Sequence, residues 1–582
     1  MNTVNKVRTI TECLMQHSAE RSDKPYLVQP HNGEITEWSW SQMKLDAEAI
    51  ASGLKSAGIQ AGDRVAIWSK NCAEWIIADF AIALLGAVSV PVYPGQNKDS
   101  VHYVLDHAGC DLIILGKQDN DAEVADAVKD IDIKRLALRY YSGEAELQWQ
   151  ELLRDNRGAV IDPFPSAIDD LYTIVYTSGT TGNPKGVMHS YRSFGETCEM
   201  FNQVFQATDQ HRFFSYLPLA HLAERIIVQG NSIYAGAPVY FAESLDTFMG
   251  DIQRAQPSIF FAIPRIWEKF REKILAQTSQ RKLDLLLKIP GINRLVKNKV
   301  QRALGLNKTE VIGCGAAPIP EATLRWFDSL GIQILEGYGM TENACYGTMN
   351  LGEPLYSHKR KVASVGQPMP ECEVRISEDD EVLLKSPGLM TGYYRDESAT
   401  ASVFTDDGFY RTGDKGRIDN NGFLHIVGRL REQFKTAKAK FIVPSRIEKL
   451  LVSHPHIEQA CVIGRGMVQP VALAQLSETA EGIDKETLKA DLTAHVSDMN
   501  SQLEHHEIID GLWICAEEWT AANHLMTPTL KVKRHEVEQR YRPIIEAQLN
   551  SRNGLHLVNF LGATTGKENK TDTEQRKIQE SA

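Results

Sequence analysis

The chain has 582 residues, of which 43% are hydrophobic and 24% are charged. A chain of this length and ordinary globular composition can form several domains with large cores, which excludes a wholly disordered, collagen-like or coiled-coil protein. Acidic residues outnumber basic residues by 75 to 63, and the net charge of -12 disfavours general nucleic-acid binding, although a local basic site remains possible.

The nine cysteines include no CxxC pair, so neither a zinc ribbon nor a thioredoxin-type site is expected. Their odd number fits a reducing compartment better than a disulfide framework. The N-terminal segment lacks the apolar core of a secretory signal. We therefore expect a cytoplasmic protein, with peripheral membrane contact left open and an oligomeric state that the sequence does not indicate.

From residue 64 to residue 115, apolar strand-like runs alternate with helical patterns, which is typical of a parallel sheet covered by helices. The apolar stretch 75–93 is as long as a membrane span, but Asp79 lies inside it, and Gly86 and Pro91 interrupt it. A bilayer span would strand the carboxylate at considerable cost. The pattern instead predicts a buried helix near 72–85 followed by a buried strand near 87–93.

The strongest local motif is YTSGTTGNPKG at 176–186. An apolar strand leads into it and a helix-compatible stretch follows, an arrangement in which backbone N–H groups face an anion. The spacing of its glycines does not match the Walker A motif, which disfavours a P-loop NTPase. The motif predicts a polyphosphate site formed by Thr177, Ser178, Gly179, Thr180, Thr181, Gly182 and Lys185.

This motif resembles the phosphate loop of the adenylate-forming superfamily, which includes acyl-CoA synthetases, luciferases and peptide-synthetase adenylation domains. Later segments resemble the family's other motifs in the same order along the chain. The resemblance implies an α/β fold class, with a large N-terminal domain of layered α/β subdomains plus a β-rich part and a small mobile α+β C-terminal domain. We expect domains at 1–429 and 430–562, and a disordered polar tail at 563–582.

The resemblance also assigns roles around a bound nucleotide. Tyr338 would offer its ring to the adenine, worth about 1 kcal/mol beyond burial. Thr341 would donate to the α-phosphate, and Glu342 would be the Mg²⁺ ligand, with Thr177 as a second contact. Two small-residue segments would lie along the nucleotide: Gly315, Ala316 and Ala317, and then Gly337, Tyr338, Gly339 and Met340.

Three further positions resemble family residues near the acyl-adenylate. His221 resembles the residue that walls off the substrate carboxylate, although a lone histidine can also be structural. Asp414 would accept both ribose hydroxyls, because an ionised carboxylate has two acceptor oxygens, and Arg429 would lie near the same sugar. Between these two residues, the NNG sequence at 420–422 predicts the turn of a β-hairpin.

Beyond the Gly-Arg pair at 428–429, the resemblance implies a hinge at Arg431 and a coenzyme A channel lined near Ala439 and Lys440. The family normally has glycine where this chain has Ala439, which restricts close backbone approach. Lys531 resembles the catalytic lysine, with Lys533 as the fallback, unless both belong to an ordinary exposed basic cluster. The lysine would offset negative charge as a carboxylate attacks the α-phosphorus.

The wording of segments 217–225 and 262–270 is closest to that of long-chain fatty acyl-CoA synthetases. Trp267 matches a tryptophan that gates the fatty-acid tunnel, unless it simply packs a helix. The implied enzyme is a long-chain fatty-acid–CoA ligase, which forms acyl-AMP and diphosphate and then transfers the acyl group to coenzyme A. ATP, Mg²⁺ and coenzyme A are the expected cofactors and co-substrates.

Three alternatives remain open on the sequence. The first is an acyl-AMP ligase that loads a carrier protein, and the second is a CoA ligase for a medium-chain or aryl acid. The third is a catalytically weak relative that binds lipid or nucleotide, which the intact phosphate loop, Glu342 and Lys531 disfavour.

Overall fold

A computed structural model describes residues 7–177, 184–352, 360–520, 523–527, 531–551 and 556–561. The predicted phosphate-loop residues Ser178, Gly179, Thr180, Thr181 and Gly182, and the predicted tail at 563–582, lie outside the described residues. The chain forms two compact units, Met1–Arg431 (unit 1) and Glu432–Ala582 (unit 2).

An eight-stranded sheet carries the predicted parallel α/β region of unit 1. The helix Ala73–Leu84 is buried along its whole length and leads into the buried strand Val88–Val92, as the 75–93 stretch predicts. In spatial order the strands are Gly392–Tyr393, Lys185–Ser190, Leu171–Thr177, Val88–Val92, Arg64–Trp68, Leu112–Leu115, Lys134–Ala137 and Leu147–Gln148. The six strands from Leu171–Thr177 to Leu147–Gln148 run parallel to one another, which confirms the α/β fold class.

A nine-stranded sheet forms the second layer of unit 1. Its order is Gln367–Pro368, Thr348–Met349, Leu335–Tyr338, Val311–Cys314, Ile259–Ala262, Phe213–Ser215, Val239–Phe241, Pro25–His31 and Glu34–Ser39. Its central strands are parallel. The carboxyl ends of the neighbouring strands Val311–Cys314 and Leu335–Tyr338 therefore open toward the same edge, where ligands bind in open α/β sheets.

The β-rich part of unit 1 is a four-stranded antiparallel sheet. Its strands are Glu373–Ile376, Glu381–Lys385, Tyr410–Ile418 and Leu424–Arg429. The last two pair as a hairpin with Ile418 opposite Leu424, which confirms the hairpin predicted from the NNG turn.

Unit 2 is a small α+β structure. A four-stranded sheet runs in the order Ile457–Ile463, Val471–Leu476, Leu512–Cys515 and Val558–Leu561, and a short pair is formed by Phe434–Lys435 and Phe441–Ile442. The α-helices of this unit are Pro444–Leu451, Lys485–Ser501 and Arg534–Ser551, with a 3₁₀ turn at Glu478–Ala480.

The remaining helices of unit 1 cover its sheets. They are Ile10–Glu20, Trp40–Ser56, Lys98–Ala108, Asp121–Val128, Trp149–Asp155, Tyr191–Phe205, Leu222–Glu224, Asn231–Ala235, Phe248–Ala255, Pro264–Gln277, Gln280–Lys288, Ile292–Ala303, Glu321–Ser329 and Glu397–Val403, with a π-helix at Arg225–Gly230 and a 3₁₀ helix at Thr341–Asn343. Within the described residues, no helix combines the length and apolarity needed to cross a membrane.

The carboxylate inside the apolar 75–93 stretch belongs to a buried ion pair. The Arg225 guanidinium lies 2.8 Å from Asp79 Oδ2, and both side chains are 0% exposed. Tyr172 Oη and Gln229 Nε2 also donate to Asp79 Oδ2, over 2.5 Å and 2.7 Å, and Arg225 Nη1 donates to Thr173 Oγ1 over 2.7 Å. Since a buried charge is tolerated only when paired and hydrogen-bonded, this network explains how an aspartate survives there.

All nine cysteines are free thiols, and seven of them are buried. Burial raises the pKa of the Cys72 and Cys515 thiols to about 12. These groups are therefore protonated at neutral pH, and they pack as small apolar side chains.

Candidate active site

The phosphate-loop motif connects two antiparallel strands. Leu171–Thr177 pairs with Lys185–Ser190, and Thr177 lies opposite Lys185 at the end of the ladder. The prediction of a helix directly after the loop is wrong, because the helix begins only at Tyr191. The six residues before it form a strand that also pairs with Gly392–Tyr393 on its other side, so sheet pairing on two sides overrides the local helix pattern.

Tyr393 connects the lysine of the phosphate loop to the predicted magnesium ligand, and Tyr410 lies beside it. The Lys185 ammonium lies 4.6 Å from the centre of the Tyr393 ring. The Tyr393 hydroxyl donates to Glu342 Oε1 over 3.1 Å and lies 3.3 Å from the Tyr410 hydroxyl. Burial and the neighbouring Glu342 carboxylate raise the pKa of both tyrosines, which therefore remain protonated donors.

A second chain of contacts joins the predicted adenine and ribose residues. Tyr338 Oη donates to Asp414 Oδ2 over 2.6 Å, and Arg429 Nε lies 2.8 Å from Asp414 Oδ1. Asp414 is buried, and it lies opposite Arg429 across the hairpin ladder. Burial and the adjacent carboxylate raise the pKa of the Tyr338 phenol well above its usual range. One Asp414 carboxylate thus orients an aromatic ring and a guanidinium at the same time.

The predicted nucleotide segments follow neighbouring strand ends. Gly315 is buried, whereas Ala316 and Ala317 are exposed directly after the strand Val311–Cys314. Ala316 has a φ of 67°, in the left-handed region. A Cβ at Gly339 would lie 2.5 Å from a backbone atom of Cys345, so only glycine fits there. The remaining members of the second segment, Gly337, Tyr338 and Met340, lie around the end of the strand Leu335–Tyr338.

Sequence reasoning missed one contact to this segment. His189, fully buried in the strand Lys185–Ser190, donates from Nε2 to the carbonyl oxygen of Thr341 over 2.7 Å, and its Nδ1 lies 3.1 Å from Ser193 Oγ. The imidazole thus ties the strand after the phosphate loop to the turn that carries Glu342. The only sequence signal is a histidine two residues past an apolar valine in a strand, which does not reveal a partner so distant in the chain.

Protonation of His189 is expected to oppose folding in acid. Burial lowers the pKa of this imidazole from 6.5 to about 4. Between these values the unfolded chain binds a proton that the folded chain does not. The contribution to the free energy of unfolding is therefore complete above pH 6.5 and declines as the pH falls toward 4, by about 3 kcal/mol at most.

The variant His189→Gln should flatten this decline, because its amide can still donate to the Thr341 carbonyl but does not titrate. Melting temperatures measured across this pH range check the expectation. His31→Gln, at an exposed histidine of the same unit, should leave the decline unchanged. A wild-type pH profile in His189→Gln would contradict the assignment.

The predicted acyl-site residues lie at a helix start and in a core cluster. His221 caps the helix Leu222–Glu224, and its Nδ1 accepts from the Ala223 backbone over 3.1 Å, which places the proton of the neutral ring on Nε2. Trp267, on the helix Pro264–Gln277, is 0% exposed and packs edge-on against Phe270 and other aromatic rings. This packing accounts for Trp267 as a core residue, and its role as a gate stays a prediction.

In unit 2 the predicted residues occupy turns. Ala439 and Lys440 are exposed in the turn between Phe434–Lys435 and Phe441–Ile442, where Thr436 N donates to Lys440 O over 2.9 Å. Lys531 is exposed, and its backbone N donates to Thr527 Oγ1 over 3.0 Å. Arg431 is the last residue of unit 1. The hinge, channel and catalytic roles of these residues stay predictions.

Replacing Ala439 with glycine is expected to stabilise unit 2. Ala439 has a φ of 57°, a conformation that costs an L-residue roughly 1–2 kcal/mol and glycine almost nothing. After the extra chain entropy of glycine is subtracted, the free energy of unfolding should rise by about 0.5–1 kcal/mol. Thermal unfolding of Ala439→Gly measures this gain. Ala437→Gly, in the same turn but outside the left-handed region, should instead destabilise.

The predicted ligands Glu342 and Thr177 would suit a magnesium ion that is held mainly by a phosphate ligand. Glu342 would supply a hard carboxylate oxygen, and Thr177, the candidate second contact, is the last residue of the strand Leu171–Thr177. In the described part of the chain, no group of three or more His, Cys, Asp or Glu side chains is placed to hold a metal. Mg²⁺ commonly takes one or two carboxylates and completes its shell with water and substrate phosphates.

Relatives with curated names match nearly the whole chain. The chain is 29% identical to the long-chain-fatty-acid–CoA ligase FadD15 of Mycobacterium bovis, in an alignment that covers 94% of this chain and 98% of that protein. It is 28% identical to the long-chain-fatty-acid–CoA ligase 1 of Homo sapiens, over 91% of this chain and 83% of that one.

Solved structures share the fold. The anthranilate CoA ligase AuaEII, in complex with anthranoyl-AMP, gives a TM-score of 0.76 at 20% identity and covers 93% of this chain and 98% of its own. The A domain of the carboxylic acid reductase from Segniliparus rugosus, in complex with AMP and a carboxylic acid, gives 0.77 at 20% identity, with 94% and 95% covered.

Two family models match consecutive parts of the chain. The model described as AMP-binding enzyme matches residues 14–394, more than half of the sequence. The model of the C-terminal domain of the same enzymes matches residues 432–553, which lie within unit 2. Together with the order of the motifs and the two chains of contacts in unit 1, these matches show that the protein belongs to the family of AMP-binding enzymes.

Proposed function

We propose that this protein is an AMP-forming acid–thiol ligase, which activates a long-chain fatty acid as acyl-AMP and transfers the acyl group to coenzyme A. The observation that carries the proposal is the convergence of separate motifs in unit 1. Lys185, Glu342 and Asp414 come from different parts of the sequence, yet tyrosine hydroxyls or rings contact each of them.

Unit 1 would bind the nucleotide of the first step. Asp414 would accept hydrogen bonds from the ribose hydroxyls while its contacts to Tyr338 and Arg429 hold it in place. Lys185 would contact a phosphate, and the cation–π contact with the Tyr393 ring helps to hold its ammonium in place. Thr341 would donate to the α-phosphate from a turn whose carbonyl His189 fixes.

When bound at Glu342, magnesium supplies positive charge to the phosphates. The residues of the chain then have two tasks: to position a carboxylate against the α-phosphorus and to stabilise the charge that develops there. His221, with its Nε2 proton, would lie beside the carboxylate. A carboxylate oxygen bonds to the α-phosphorus and diphosphate leaves, so no covalent enzyme intermediate is required.

Unit 2 would serve both steps. Lys531 would stabilise the first, and the turn at Ala439 and Lys440 would accompany the second, in which the coenzyme A sulfur attacks the acyl carbon, AMP leaves and the thiol proton is released. Ala439 keeps a backbone conformation that glycine favours. Alanine in place of the family's glycine therefore adds one methyl group, while the backbone of the turn keeps the left-handed conformation that glycine favours. Reorientation of unit 2 would occur at Arg431.

The names of the relatives support a long-chain acid as the substrate, and Trp267 would close the acyl tunnel. Tail burial is worth about 0.8 kcal/mol per methylene, so an apolar tunnel would favour long chains. The solved structures, at about 20% identity, support the fold alone.

The proposal is tested by measuring diphosphate release with a panel of long-chain, medium-chain and aryl acids, with and without coenzyme A. We expect release with long-chain acids and ATP, and a matching acyl-CoA thioester only when coenzyme A is present. If acyl-AMP forms without thioester and an added carrier protein is acylated, the acceptor of the second step is a carrier protein and not coenzyme A. Absence of diphosphate release with every acid would overturn the proposal.

A further inference from the structure

Two helices of unit 1 form a hairpin with little buried surface. Gln280–Lys288 and Ile292–Ala303, joined by a short turn, are called here the basic hairpin. The first helix has one buried residue, Leu283, and the second has none. Partly buried Leu287, Val296 and Val300 complete the inner side, which packs on the hydrophobic cluster that contains Trp267.

The outer side of the basic hairpin exposes large aliphatic side chains next to the turn. Leu285 is 63% exposed and Ile289 is 37% exposed on one side, and Ile292 and Leu295 are 39% and 69% exposed on the other. Ile292 and Leu295, three residues apart, lie on one face of the second helix, and Ile289 directly follows the helix that carries Leu285. Exposed aliphatic groups concentrated in one place mark a surface that contacts another apolar phase.

The same segment is strongly basic in an acidic protein. Residues 281–302 contain seven Lys or Arg and a single acidic residue, a net of six positive charges in a chain of net charge -12. The cations are Arg281, Lys282, Lys288, Arg294, Lys297, Lys299 and Arg302. The acidic residue, Asp284, accepts a hydrogen bond from Gln280 over 2.7 Å. Among the residues that the structure describes, no carboxylate forms an ion pair with any of the seven cations.

Exposed aliphatic side chains next to cations without an ion-pair partner are typical of a helix that lies in a membrane interface. Cations attract the phosphates of anionic lipids, and aliphatic groups insert between the headgroups. A nucleic acid would use the charges but not the leucines and isoleucines. An acidic protein would need a complementary apolar groove, whereas a lipid surface accommodates aliphatic groups in any arrangement.

We propose that the basic hairpin docks unit 1 on the surface of an anionic lipid bilayer, with Leu285, Ile289, Ile292 and Leu295 inserted at headgroup level. Docking is peripheral, because neither helix is long enough to span. The hairpin directly follows the helix Pro264–Gln277, which carries Trp267. Docking would therefore hold that helix near the phase in which long-chain acids dissolve. This inference goes beyond the ligase activity and is measured without ATP or acid, so the two can fail separately.

The charge contribution is tested by cosedimentation of the full chain with vesicles of phosphatidylcholine and phosphatidylglycerol, and with vesicles of phosphatidylcholine alone. Binding should require the anionic lipid and weaken with salt. Each cation near the surface contributes about fivefold, so Lys282→Gln, Lys288→Gln and Arg294→Gln together should weaken binding about 100-fold. The matched triple Lys24→Gln, Lys55→Gln and Arg157→Gln removes the same charge at other exposed positions and should bind like wild type.

The aliphatic contribution is tested by Leu285→Gln with Leu295→Gln, which should weaken vesicle binding at least tenfold. Leu245→Gln, at an 88% exposed leucine elsewhere, is the control. Circular dichroism spectra of all variants should match that of wild type. If both triple variants lose the same amount of vesicle binding, the binding depends on the net charge of the protein and not on the basic hairpin, which would overturn the proposal. Loss with the charge triple but none with the leucine pair would also overturn it, in favour of a polyanion or an acidic protein.

Discussion

Replacing Lys531 with alanine is expected to slow acyl-adenylate formation about 100- to 1,000-fold, because a preorganised charge at the reacting phosphate is worth this much. Single-turnover diphosphate release from ATP and a fatty acid measures the first step. Thioester formation from supplied acyl-AMP and coenzyme A measures the second step, in which the thiol attacks the acyl carbon and not the α-phosphorus, and this step should proceed at close to the wild-type rate.

Lys533→Ala is the matched control for this prediction. It removes the same charge two residues away, from a position whose backbone N donates to Leu525 O over 2.8 Å. If Lys533→Ala, rather than Lys531→Ala, suppresses adenylation, the two lysines exchange roles. Equal loss of both steps in Lys531→Ala would refute an electrostatic role in the first step alone.

Removing the buried guanidinium of Arg225 is expected to destabilise unit 1 by about 3–5 kcal/mol. In Arg225→Met the Asp79 carboxylate keeps Tyr172 and Gln229 as donors but loses its only counter-charge among the described contacts. An uncompensated charge in an apolar core costs far more than the ion pair itself contributes. Differential scanning calorimetry of the full chain should show the transition of unit 1 shifted to lower temperature.

Two comparisons separate charge from packing in this experiment. The double variant Asp79→Asn with Arg225→Met removes both charges and should recover a large part of the loss, because no buried ion remains. Arg375→Met breaks an ion pair to Asp407 in which both side chains are more than half exposed, and it should cost less than about 1 kcal/mol. A loss in Arg225→Met no larger than in Arg375→Met would contradict the structural assignment.

The sequence predicts the fold well where patterns are local. The buried helix and strand within 75–93 and the hairpin at the NNG turn are confirmed, since helix length, alternation and turn chemistry act over a few residues. The helix predicted directly after the phosphate loop is wrong, because Lys185–Ser190 forms a strand that pairs with neighbours on both sides. One of those neighbours, Gly392–Tyr393, lies far away in the chain, and no window around the loop contains it.

For the site, the motifs identify residue types but not their contacts. Asp414 follows from a motif, whereas its hydrogen bond to Tyr338 depends on the packing of two different sheets. Tyr393 belongs to no motif in the sequence, yet its side chain contacts both Lys185 and Glu342. Side chains that connect motifs from separate segments become visible only when the fold brings the segments together.

Each unit contains a buried cysteine whose alkylation can report the local unfolding of that unit. Burial raises the pKa of Cys461 in unit 2 and of Cys314 in unit 1, so an alkylating reagent modifies them only after the surrounding core separates. Peptide mass spectrometry after timed alkylation would then resolve the opening rate of both units in one sample of unaltered protein. Nucleotide that binds to unit 1 should slow labelling of Cys314 first, which provides a binding assay that requires no turnover.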